Sequence, residues 1–200
     1  MLHDRDDEEA PKAAAADRRE RAEVGLIARI AAHDLRAFEE LYRAYHARLT
    51  RFLDRMTRRR AVIEEVLNDT MLVVWNRSDT FNGRSKVCTW IFAIAYRKAL
   101  KALQRHDEAV EDAEPDQRAA SDDGPERQMQ QRQASMGLVR ALDALSIDHR
   151  MVVELSYFHG MGYREIAEIV DCPVDTVKTR MFHARRRLRT LLAGDAEDWL

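Results

Sequence analysis

Lys178, Thr179, Phe182, His183, Arg185, Arg186 and Arg189 recur at helical spacing, which gathers them on one face of a helix. Such side chains suit a polyanion. Lys178 and Thr179, toward the amino end, can reach base edges, and the later arginines can reach phosphates. From Asp175 to Leu192 there are six basic residues and one acidic, concentrated where a recognition helix would meet a major groove. Phe182 either meets a thymine methyl or folds against a neighbouring helix, and His183 either reaches DNA or is an ordinary surface histidine. Arg97, Lys98, Lys101 and Arg105 form a second basic stripe, suited to phosphates. Bond-breaking chemistry has no comparable support. No HExxH, glycine-rich phosphate loop or nucleophile elbow occurs, and the seven histidines are scattered. Cys88 and Cys172 are isolated and are expected as buried, reduced thiols. No catalytic residue, cofactor or metal site is expected.

The element that must present the first face is legible between Tyr163 and Leu191. Two short helices that cross steeply need a small residue at their contact, and Ala167 is placed for it. Four residues on, the chain must turn through a left-handed conformation, which Asp171 tolerates better than most. Pro173 forbids continuation, Asp175 or Thr176 can cap the next helix, and Val177 plugs the space between the two. Val177, Met181, Ala184, Leu188 and Leu191 form the buried stripe. The pattern is a helix-turn-helix.

The remaining chain reads as helix throughout. The four prolines, Pro11, Pro115, Pro125 and Pro173, leave long stretches without the strongest helix breaker, and period-two strand patterns are absent. Three helices are expected in the first half. One follows Asp34 through Phe38, Leu41, Tyr45, Leu49, Phe52 and Met56; the next carries Val62, Val66, Met71, Val74 and Trp75. After a loop at Asp79 to Ser85, the third carries Val87, Trp90, Ile91, Ile94 and Leu103. Trp90 is expected in the core rather than as a stacking platform. Residues 107–126 hold nine acidic residues, one arginine, two prolines and Val110 as the only large aliphatic. A segment that buries so little cannot offset its ordering entropy, so a flexible linker is expected. The class is therefore all-α: a disordered tail at 1–19, a helical domain at 20–106, the linker at 107–126, a helix-turn-helix domain at 127–193 and a tail at 194–200.

The charge follows these divisions. With 33 Lys and Arg against 35 Asp and Glu the total is -2, but residues 33–106 carry +7 and residues 107–126 carry -8. A basic body beside an acidic tether fits a polyanion ligand. No apolar run approaches the about 20 residues that span a bilayer, and the acidic start Asp4 to Glu9 is unlike a signal peptide. A cytoplasmic protein without membrane insertion is expected.

The order of parts resembles the extracytoplasmic-function sigma factors of the sigma-70 family. The residues that carry the resemblance are Ala37-Phe38-Glu39-Glu40-Leu41-Tyr42, then Glu64 to Met71 leading to Trp75, then Thr89-Trp90-Ile91-Phe92-Ala93-Ile94-Ala95, and the Tyr163 to Leu188 block, all on about residues 24–192. The resemblance implies that the chain binds core RNA polymerase, directs it to promoters and helps open the DNA, without catalysis of its own. It implies a monomer when free, controlled by an anti-sigma factor. Glu65, Asn68 and Asp69 match the region 2 surface that docks on polymerase, although relatives usually carry the longer Gln-Glu at the last two. Asn82 to Lys86, including Arg84 and Ser85, match the loop that captures a flipped base of the minus-ten element. The helix behind it supplies Arg97, Lys98, Lys101 and Arg105. Arg97 stands where many relatives have Asn, which alters the expected minus-ten base. Lys178, Thr179, Phe182 and His183, with Arg185 and Arg186, match the minus-thirty-five reading face. Lys178 and His183 replace arginines, giving up bidentate guanine recognition and a permanent charge. A related but different promoter box follows. Two rivals remain at this point: a conventional helix-turn-helix regulator with a sensory first domain, and an enzyme.

Overall fold

A computed structural model describes residues 6–109 and 137–197, and every regular element among them is helical. α1 spans Asp6–Ala31, α2 Leu35–Met56, α3 Arg60–Arg77 and α4 Val87–Ala109. In the second half α5 occupies residues 137–143, followed by α6 (Ile147–Val153), α7 (Tyr163–Ile169) and α8 (Val174–Glu197). The expected linker lies outside the described residues except for 107–109, which continue α4.

The expectation of a tail at 1–19 is corrected over its described part, because α1 begins at Asp6. Its carboxyl half is built into the fold by paired polar groups. Glu23 is buried, and its carboxylate accepts the Tyr45 hydroxyl at 2.6 Å and the Arg19 guanidinium at 2.8 Å. Glu20 accepts the Val87 N–H at 2.8 Å, so a carboxylate of α1 serves a free donor at the start of α4. Ile27 and Ile30 enter the core, which four helices close rather than three. α1 turns into α2 through His33, at φ 61. There Asp34 caps α2 by accepting from the Arg36 and Ala37 amides, and it takes Arg29 on its other oxygen. The Arg29 pair holds its carboxyl below the usual range.

α6 starts at the Ser146 cap, whose hydroxyl accepts the His149 amide, and continues into a wider π turn over Glu154–Phe158. Gly160, at φ 66, reverses the chain. In the turn between α7 and α8 Asp171 adopts φ 51, the left-handed conformation expected of it. Neither Asp175 nor Thr176 is the cap. α8 starts at Val174, and the Thr176 amide donates to the Pro173 carbonyl at 2.9 Å, placing both residues inside the first turn. Proline fits this entry, just ahead of the helix, because its missing N–H would lack an intrahelical partner there in any case. Ala167 and Val177 are buried at the contact between α7 and α8.

The two halves pack against each other, α4 on α7 and α2 on α6, and their buried side chains form one continuous cluster from Ile27 to Ala184. The seam between them is not purely apolar. His159 lies edge-on to Phe92 and Phe52, with ring centroids 4.8 and 6.0 Å away. Burial, with Arg48 and Arg51 nearby, pushes its pKa down to about 4. Glu154 is buried beside Arg55 at 3.5 Å, and burial raises its pKa. Arg150 donates to the Arg55 carbonyl at 3.0 Å, Arg58 pairs with Asp143, and Lys86 pairs with Glu165 at 3.0 Å. Arg48 Nη1, Asp143 Oδ1, Arg150 Nε, Glu154 Oε2 and His159 Nε2 are buried along this seam without a hydrogen bond. Such groups carry a desolvation cost, so the seam holds the halves together less firmly than its apolar area alone would.

Candidate nucleic-acid interface

The buried stripe of α8 fixes which way its polar face points. Val177, Met181 and Ala184 are buried against α6 and α7, which turns Lys178, Thr179, Phe182, His183, Arg185, Arg186 and Arg189 to solvent. Phe182 is 64% exposed, so the alternative in which it folds against another helix is removed. Its ring meets His183 at 5.4 Å in an edge contact. Lys178 is held by Asp175 at 2.9 Å, and the Thr179 hydroxyl donates to the Asp175 carbonyl. Both residues are exposed, and an exposed pair is worth at most about 1 kcal/mol. DNA can displace such a contact.

Two residues beside this face carried no sequence signal. His149, on α6, lies 6.2 Å from His183 between ring centroids. Tyr157, 60% exposed in the π turn, lies beneath the Arg185 guanidinium at 5.7 Å. Neither stands in a local motif, and both are brought to α8 only by the packing of α6. Arg180 has turned from the face and binds Asp148 at 2.7 Å, locking α6 to α8.

The first half presents a different arrangement. Glu65, Asn68 and Asp69 share one side of α3, and Asn68 is exposed. Glu65 pairs with Arg105 at 2.7 Å and Asp69 with Lys98 at 3.0 Å, so two expected docking carboxylates hold two members of the expected DNA stripe. Arg97 and Lys101 are exposed. One turn beyond Asn68, Leu72 is 56% exposed and extends the same side of α3 with an apolar group. In the loop before α4, Asn82 accepts the Arg84 amide at 3.0 Å, and Gly83 takes φ 69. Asn82 and Arg84 are exposed and Ser85 is half-buried. Lys86 is tied to Glu165 of α7, which raises its pKa. Trp90 is half-buried against Phe81, with ring centroids 5.5 Å apart, a packing position.

Comparison with known proteins places the chain in a family. The family model described as "Sigma-70 region 2" matches residues 41–109, and that described as "Sigma-70, region 4" matches residues 135–188. The ECF RNA polymerase sigma factor RpoE of Cereibacter sphaeroides is 32% identical over 176 residues, covering 83% of this chain and 92% of that protein. The chain belongs to the extracytoplasmic-function sigma factors. The Escherichia coli ECF sigma-E factor is similar at 27% identity, over 82% of this chain and 90% of its own length. Among solved structures, that of CnrH in complex with the cytosolic domain of CnrY shares the fold, with a TM-score of 0.63 and 24% identity. It covers 87% of this sigma factor and 99% of that chain. The sigma factor RpoE of Bartonella quintana, solved with the anti-sigma factor NepR, has a TM-score of 0.61 at 23% identity, covering 78% and 96%. α2 to α4 thus form region 2, and α5 to α8 form region 4.

The match of residues 41–109 to sigma-70 region 2 sets aside the rival with a sensory first domain. Among the described residues of this sigma factor no helix is long and apolar enough to cross a membrane, and no group of three or more His, Cys, Asp or Glu is placed to hold a metal ion. The cysteines are less enclosed than expected. Both are free and half-buried. Burial raises the Cys88 pKa, and Cys172 lies 3.8 Å from the Arg180 guanidinium.

Proposed function

We propose that this sigma factor docks core RNA polymerase on the α3 side bearing Glu65, Asn68 and Asp69, and reads the minus-thirty-five element with Lys178, Thr179, Phe182 and His183. Arg185 and Arg186 serve phosphates beside that readout. Asn82, Arg84, Ser85 and Lys86 meet the minus-ten element, with Arg97, Lys98, Lys101 and Arg105 along the separated strand. The observation that carries the reading is the exposed, base-capable face of α8, presented by a helix-turn-helix whose opposite stripe is buried. The pairs Glu65–Arg105 and Asp69–Lys98 are exposed enough to exchange for polymerase and phosphate partners. The protein acts in the cytoplasm as an initiation factor without catalysis of its own. It is a monomer when free, and an anti-sigma factor controls it, a reading supported by the similar fold of the sigma factor solved with NepR.

Run-off transcription tests this directly. Core polymerase alone gives no promoter-directed transcript, and core plus this protein gives defined transcripts from a promoter library. Absence of stimulation on every promoter in the library overturns the assignment.

A further inference from the structure

Alongside the base-reading face, α6 and α8 border an open crevice of about 570 Å³ whose polar lining is Ser146, His149, His183, Arg186, Arg187 and Thr190. We propose that this crevice seats one phosphate of the promoter backbone at the edge of the minus-thirty-five contact, held by His149, Arg186 and Arg187 beside the base-reading His183. The inference rests on the reading of α8 as the recognition helix and extends it to a second element.

Three features point to a phosphate. The first is charge. No carboxylate lines the crevice, whereas the smaller hollow on the other side of the His149–His183 pair contains Asp175. Arg180 is neutralised by Asp148, and Arg185 lies over Tyr157, but Arg186 and Arg187 have no ionic partner among the described residues. Two guanidiniums without an ionic partner among the described residues and two imidazoles therefore border one concave space, a setting that favours an anion. The second is rigidity. Asp148 is bound to Arg180 at 2.7 Å, so the adjoining His149 is held beside His183 rather than on a free surface. The third is position. Arg186 and His183 belong to the exposed face, whereas Arg187 and Thr190 lie around the helix toward α6, so the crevice opens where a groove wall would run when α8 enters the groove. Thr190 donates to the Arg186 carbonyl and is already satisfied. Ser146 accepts the His149 amide, which leaves its own hydroxyl proton to donate.

The test uses the full protein bound to core polymerase, with a cognate promoter titrated at several salt concentrations. His149→Ala and Arg187→Ala are each expected to weaken promoter binding and to make the slope of log K against log salt shallower by about 0.9, the value for one lost phosphate contact. The minus-thirty-five base preference is expected to stay as in the wild type. Arg187 is exposed and His149 is half-buried, so the Arg187 variant reports on binding without a change in packing. A promoter series with single neutral methylphosphonate linkages is expected to contain one position that weakens the wild type but costs neither variant anything further. Wild-type slopes and affinities in both variants would overturn the proposal, as would a changed base preference at an unchanged slope, which would place His149 on a base edge. If the wild-type complex shows no dependence on the minus-thirty-five sequence, the recognition-helix reading itself fails, a result distinct from the failure of the crevice.

Discussion

At the scale of single residues, Lys178 best separates what a sequence can disclose from what it cannot. Its place in the helix-turn-helix register and its outward direction were both readable from the four- and three-residue steps of Val177, Met181, Ala184 and Leu188. Its ion pair with Asp175 was not readable, because an i,i+3 contact depends on a rotamer choice. That pair is exposed, so it costs little to break. Lys178→Ala is expected to change the preferred base at one minus-thirty-five position and to lose about 1–3 kcal/mol of discrimination there. Selection from a randomised minus-thirty-five library checks this, and an identical profile removes Lys178 from the readout. Lys178→Arg restores a bidentate donor and is expected to shift the preference toward guanine rather than abolish it. His149 shows the opposite limit. Nothing in its local sequence marks it, since its neighbour His183 lies 34 residues away and only the packing of α6 on α8 brings the rings to 6.2 Å.

Among elements, α1 was the least legible. Its amino half is alanine and charge with little apolar periodicity, which in isolation describes a tail. Its place in the structure comes from long-range polar contacts: Glu23 to Tyr45 across 22 positions and Glu20 to Val87 across 67. Such pairings have no signature in a local window. By contrast α2 was readable almost to the residue, because its apolar face from Leu41 to Met56 and the Asp34 cap are both local signals. Glu23→Ala removes the acceptor of a buried hydroxyl and leaves Tyr45 without its partner. A loss of about 1–3 kcal/mol is expected, the cost of an unsatisfied buried group. Urea denaturation of Glu23→Ala beside the double variant Glu23→Ala/Tyr45→Phe checks it. The double variant is expected to recover much of the loss, because removing both partners leaves no orphan, and equal destabilisation in the two would assign the effect to packing instead.

For the whole molecule, the sequence indicates two halves but not the seam between them. The acidic segment at 107–126 suggests separate bodies, whereas Phe52, Phe92, Leu155 and Ile166 share one buried cluster. The seam combines these apolar contacts with titratable groups, and the two principal ones act in opposite directions on acidification. His159 is a base whose pKa falls from 6.5 to about 4 on burial between Phe52 and Phe92, facing Arg48, Arg51, Arg55 and Glu154. The exposed imidazole therefore takes its proton first. Its contribution to the packed state is complete above about pH 6.5 and is lost as the pH falls toward 4. Glu154 is an acid whose pKa is raised by burial, so the packed state takes its proton first and its penalty is relieved on acidification. His159→Leu isolates the first effect, because leucine cannot titrate and suits the two aromatic edges. Between pH 7 and 5 the wild type is expected to lose about 2 kcal/mol of stability relative to this variant. Denaturant midpoints across that range, read beside a distance label pair on α3 and α8, measure both the loss and whether it accompanies separation of the halves. Parallel pH profiles for the two proteins would show that His159 is already solvated, and that the seam is open at neutral pH.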